Sequence, residues 1–167
     1  MIDFEKYIIA EEGLFSRAKE KKAAKLEQER AAAKEKWDKI YSDLGPKIRP
    51  ILSSTQNAIY SLLKQNFGNY KGIRITREVL KPSDFFNYTG YFCYIDTDDN
   101  DMSDQEEREF WNKTSDVEKK IRNIVETCGQ KCCAVIKKIP GYESENFRYS
   151  VNDDADEACA VGLSIDL

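Results

Sequence analysis

The 167-residue sequence predicts an α+β fold. An N-terminal helical hairpin with a long charged first helix precedes a mainly antiparallel sheet of about five strands with one packed helix, in the order α-α-β-β-α-β-β-β. Three observations predict it. Residues 11–44 contain no proline and a single glycine, Gly13, and consist almost wholly of strong helix formers. Beyond residue 72 the apolar period drops to two, the period of a strand with one buried face. One further helical pattern, over 104–128, then interrupts the strands.

The first helix centres on "RAKEKKAAKLEQERAAAKEKWDKIY". Its apolar stripe is thin: Leu26, Ala33 and Ile40 recur every seven residues with Trp37 and Leu44 beside them, and only alanines interrupt the charge between Ala18 and Leu26. So little apolar surface cannot be buried along the whole length, so part of this helix is expected to project or to meet a partner. "DLGPKIRP", with Gly45, Pro46 and Pro50, reads as a break. The expected division is therefore a charged helix over 1–45 and an α+β domain over 46–167. A second helix follows, with Ile48, Ile51, Leu52, Thr55, Ile59, Leu62, Leu63 and Phe67 at helical spacing, and the short connection favours an antiparallel hairpin.

"GIRITREVL" sets Ile73, Ile75 and Val79 against Arg74, Thr76 and Glu78, and "NYTGYFCYID" reads as one aromatic-rich strand. "KPSDFFN" between them reads as a turn that leaves Phe85 and Phe86 at least half exposed. The helix at 104–128 carries Phe110, Val117, Ile121, Ile124, Val125 and Cys128 on one face, with Gly129 as its stop. Three strands complete the order: "CCAVIKKI", "NFRYSVN" and "ACAVGLSIDL", the last with Cys159, Val161, Leu163, Ile165 and Leu167 on one face.

Charged residues make up 34% of the chain and hydrophobic ones 41%, a balance that points to solvent-exposed helices. The N-terminal residues lack the basic end and apolar run of a signal peptide, and no segment offers the ~20 apolar residues of a membrane span. These features predict a cytoplasmic protein. Five cysteines suit reduced thiols better than a disulfide framework. The net charge of −4 conceals an asymmetry: residues 1–92 hold 17 Lys/Arg against 12 Asp/Glu, and residues 93–167 hold 9 against 18. Opposed fields of this kind suit a head-to-tail contact between copies, or a basic partner for the acidic half.

The chain contains no histidine. Ser-His and Cys-His nucleophilic systems are thereby excluded, as are zinc sites that need imidazole. No glycine-rich phosphate loop is present either. A cysteine-only zinc site from Cys93, Cys128, Cys132, Cys133 and Cys159 is disfavoured, because "CGQKCC" lacks C-x-x-C spacing and Cys93, Cys133 and Cys159 fall on inward strand positions.

"DTDDNDMSDQEE", residues 96–107, has the spacing of a calcium loop, with Asp96, Asp98, Asn100, Asp104 and Glu107 as ligands. The turn glycine of that motif is replaced by Asp101, and its apolar anchor by Ser103. A capping box, Ser103 with Glu106, accounts for the same residues without a metal, the preceding aspartates lying at the positive end of the helix dipole. An apolar strand ending in Asp96-x-Asp98 also has the form that phosphoryl-transfer enzymes use to hold a nucleophile or Mg²⁺. The order of elements and the lack of a Gly-Ser turn argue against it.

The reading that remains is a non-catalytic protein–protein interaction module with no cofactor. Phe15, Leu26, Trp37, Ile40 and Tyr41 are its expected anchors on the first helix, and Asp98, Asp99, Asp101, Asp153 and Asp154 its acidic contact surface. One alternative is a nucleic-acid-associated protein using Lys47, Arg49, Lys71, Arg74, Arg77 and Lys81, interleaved with Tyr60, Tyr70, Phe85 and Phe86. Another is an inhibitor whose acidic face imitates nucleic acid.

Overall fold

The computed structural model describes residues 4–97, 102–143, 146–154 and 157–166, with side chains from residue 19 onward. Two compact units divide the chain, Met1–Ser42 and Asp43–Leu167. The architecture is α+β, with two helices and two antiparallel sheets of two and three strands.

Helix α1 (Phe4–Phe67) is continuous over 64 residues, so the expected helical hairpin does not form. Leu44, Ile48, Leu52, Ile59, Leu63 and Phe67 share one face and are each fully buried, whereas Pro46 and Pro50 lie on the exposed side. Each proline costs a helix interior ~3 kcal/mol, and each buried apolar side chain returns about 1.5–3 kcal/mol. Six of the latter outweigh two of the former. The carbonyls of Ser42 and Pro46, deprived of their usual donors, are on the side where water can serve them.

Strand β1 (Ile73–Arg77) ends before Val79, which is 75% exposed instead of facing inward. The chain then enters a single 3-10 turn, Pro82–Phe85. Phe85 and Phe86, expected near the surface, are buried. The Phe85 ring lies 5.1 Å from that of Phe92 and against Gly90, where an added Cβ would fall 2.8 Å from it. Asn87 N–H donates to the Ile165 carbonyl at 2.9 Å, so the polar residues around the two phenylalanines stay at the surface while the rings go in.

The stretch expected to form one aromatic strand forms two. β2 (Gly90–Tyr91) belongs to one sheet and β3 (Cys93–Thr97) to the other, with the buried Phe92 as the only residue between them. At the switch between sheets the Phe92 carbonyl accepts the Gln56 side-chain amide of α1 at 2.9 Å, as well as Glu78 N–H at 3.0 Å. β3 pairs antiparallel with β1, Ile75 opposite Ile95.

Helix α2 (Asp104–Ile136) runs through "CCAVI", which was expected to be a strand, and Cys133 is therefore helical. Its buried stripe, Ile121, Val125, Cys128, Cys132 and Ile136, continues the helical period past Gly129. That glycine is no stop: a Cβ there would fall 2.4 Å from the Tyr149 ring and 3.1 Å from Leu163, so its lack of a side chain admits the sheet.

The final strands, β4 (Arg148–Asp153) and β5 (Val161–Asp166), overlap the expected stretches, but Cys159 lies in a turn before β5 at φ 59° instead of within the strand, and Leu167 lies outside the described residues. β5 is central in the order β2-β5-β4 and is buried from Val161 through Ile165, on both faces rather than one. Opposite Gly162 on β2 lies Tyr91, whose ring covers the position where a Cβ would sit.

Candidate functional site

On α1, residues 19–36 are all exposed, and Leu26 is 48% exposed. Lys25 and Glu29 pair along the helix at 3.9 Å, the i,i+4 arrangement that supports a helix in water. Trp37 and Tyr41 stack with centroids 5.8 Å apart and are each half-buried. Ile40 is 8% exposed, so its side chain is largely committed. The side chain of Phe15 lies outside the described residues.

The acidic stretch is described only at its ends; Asp98, Asp99, Asn100 and Asp101 lie outside the described residues. Asp96 faces Arg74 directly across the β1–β3 ladder. Arg74 grips its Oδ2 at 2.9 and 3.0 Å, and Thr76 Oγ1 donates to the same oxygen at 3.2 Å. At the other end, Ser103 caps α2 as a full capping box: Glu106 N–H donates to Ser103 Oγ at 3.4 Å, and Ser103 N–H donates to Glu106 Oε2 at 3.0 Å. Ser103 Oγ also donates to Glu106 Oε2 at 2.7 Å, and the two donations from Ser103 hold the Glu106 carboxyl below its ordinary range, with Lys71 adding a smaller pull. Asp104 and Glu107 occupy the same first turn, where the helix dipole favours them. Among the described residues, no three Asp, Glu or Cys side chains gather as metal ligands would. Of the second acidic cluster, Asp153 pairs with Arg122 of α2, and Asp154 N–H donates to the Ala160 carbonyl at 2.9 Å.

The basic candidates do not share one kind of surroundings. Lys47, Arg49, Lys71 and Lys81 are exposed. Arg74 is held by Asp96, and the Arg77 guanidinium carbon lies 3.8 Å from the Tyr60 ring centroid while its Nη1 donates to Asn57 Oδ1 at 3.0 Å. Phe85 and Phe86 are in the core and offer no stacking surface to a base, and Tyr70 packs against Phe67 and Phe110. Tyr60 keeps an aromatic face next to basic groups, with Lys64 5.7 Å from its centroid, and Lys113 lies 5.7 Å from the centroid of Tyr70.

The five cysteines are free and buried. Burial pushes the thiols of Cys93 and Cys159 up to about 12, and raises Cys133 as well. Cys128 and Cys132, one turn apart on α2, share a hydrogen bond that lowers the former and raises the latter, with Thr55 of α1 as a further donor to Cys128.

Sequence reasoning missed one feature, a groove of about 560 Å³ between Pro50–Ala58 of α1 and Asn123–Lys131 of α2. Both of its walls read as helical in the sequence apart from Lys131, but their packing side by side depends on contacts far apart in the chain.

The fold and these surfaces define an α+β protein with a long, charge-rich, solvent-exposed helical segment. No family model matches the chain, and neither a curated protein nor a solved structure matches it. Among the described residues no helix is long and apolar enough to cross a membrane.

Proposed function

We propose that the protein is a non-catalytic interaction module that recognises another protein through the exposed segment of α1. One observation carries this reading: residues 19–36 are exposed on every face of the helix, yet Leu26, Ala33 and Trp37 keep an apolar seam along it. Helices in folded proteins draw most of their stability from burying such a seam, and this one is left open over about five turns. Leu26 and the half-exposed Trp37 are the anchors, with Tyr41 stacked behind Trp37 to fix its ring.

The test compares the full chain with its Leu26→Asp variant in affinity capture from native lysate, with and without nuclease. The expected result is a protein retained after nuclease treatment and lost with Leu26→Asp, while circular dichroism shows the fold intact. Binding that survives Leu26→Asp, or that nuclease abolishes, overturns the proposal, and the latter result favours the basic residues around Tyr60.

A further inference from the structure

The partner of this seam can be narrowed, resting on the reading above. We infer that the exposed segment of α1 pairs with the same segment of a second copy, antiparallel. Written as heptads, Ala23, Arg30 and Trp37 take the first core position, and Leu26 and Ala33 the second. In an antiparallel pair each first-type position faces a second-type position of the other chain. A register in which facing residue numbers add to 63 sets Leu26 against Trp37 and Arg30 against Ala33, and ends before the buried Ile40. Every layer then matches a large side chain with a smaller one. A parallel, in-register pair would instead set Arg30 on Arg30 and Trp37 on Trp37.

The flanking charges select the same arrangement. In this register Glu29 lies beside Lys36 of the second copy, and Glu27 beside its Lys34. Both contacts occur twice by symmetry, giving four pairs of opposite sign. All four residues are exposed; among the described residues Glu27, Lys34 and Lys36 form no ion pair within the chain, and Glu29 pairs with Lys25 at 3.9 Å. Arg30, opposite the small Ala33, can lay its stem along the seam and carry its guanidinium to the rim. An unrelated protein would have no reason to repeat this pattern of signs, whereas a second copy does so automatically.

Sedimentation equilibrium on the full-length protein provides the test. The wild type is expected to show a monomer–dimer equilibrium that Leu26→Asp abolishes. Glu29→Lys weakens the dimer about tenfold by placing like charges together twice. Adding Lys36→Glu restores it, and adding Lys34→Glu does not. Rescue by Lys34→Glu in place of Lys36→Glu overturns the antiparallel register, because residues 29 and 34 meet only in a parallel pair. A wild type that is monomeric at every concentration, or a dimer indifferent to Leu26→Asp, overturns self-pairing altogether. If a nuclease-resistant partner is nevertheless lost with Leu26→Asp, only the second copy is ruled out and the interaction reading stands. If neither assay responds to Leu26→Asp, both fail.

Discussion

At Gly129, α2 gains more from an absent side chain than from helix propensity. Alanine there would gain ~1 kcal/mol of propensity yet drive a methyl into the Tyr149 ring. Overpacking of this kind costs about 1–3 kcal/mol, so Gly129→Ala is expected to lower stability in a denaturant titration, against the usual trend for helices. Buried thiols make a second prediction at this scale. Cys93 and Cys159 hold their protons up to about 12 in the fold, where an unfolded thiol releases them near 9.0. Their raised values mean that the stability they contribute is complete below pH 9 and is lost as pH climbs toward 12. The double variant Cys93→Ala, Cys159→Ala should therefore show a flatter fall in melting temperature across that range than the wild type. The burial of Cys93 and Cys159 was legible in the sequence, but the role of Gly129 was not: a glycine before "QKCC" reads as a helix stop, because the ring that it admits comes from a strand twenty residues further on.

Among the elements, α1 shows how tertiary burial overrides local breakers. Replacing Pro46 by Ala restores a donor to the Ser42 carbonyl on an exposed face, and is expected to stabilise the protein by up to ~3 kcal/mol, read as a rise in melting temperature. A fall would mean that the proline shapes the packing of Leu44 and Ile48 instead. The N-terminus of α2 gives the opposite case, a cap visible in the sequence as "SDQE" and present as a capping box. Ser103→Ala should cost ~1 kcal/mol in the same assay. The contrast explains what could be read in advance. Caps, the exposed charged segment and strands β4 and β5 depend on neighbours within a few residues. The continuity of α1, the helical "CCAVI" and the inward Phe85 and Phe86 depend on partners far along the chain, and a helical stripe beside two prolines looks the same whether or not such partners exist. For the contact surfaces the balance was similar. Exposure of Leu26 followed from the thinness of its stripe, whereas the capture of Asp96 by Arg74 required the β1–β3 register.

At the scale of the whole molecule, the three-stranded sheet is assembled from distant parts of the chain. β2 and β4 are not ladder neighbours; among the described residues each is paired with β5, and Asn87 and Phe86 also attach to Ile165 of that strand. Contacts this far apart in sequence are slow to form, since the loop must close before any of them is rewarded. The order of synthesis turns this into a timing constraint. A nascent chain that has not yet emerged through residue 166 carries α1 and α2 but lacks the strand that joins β2 to β4 and lines α2 at Leu163. Arrested chains should accordingly gain protease resistance in one step once β5 clears the ribosome, with Phe85 and Phe86 open to chaperones until then.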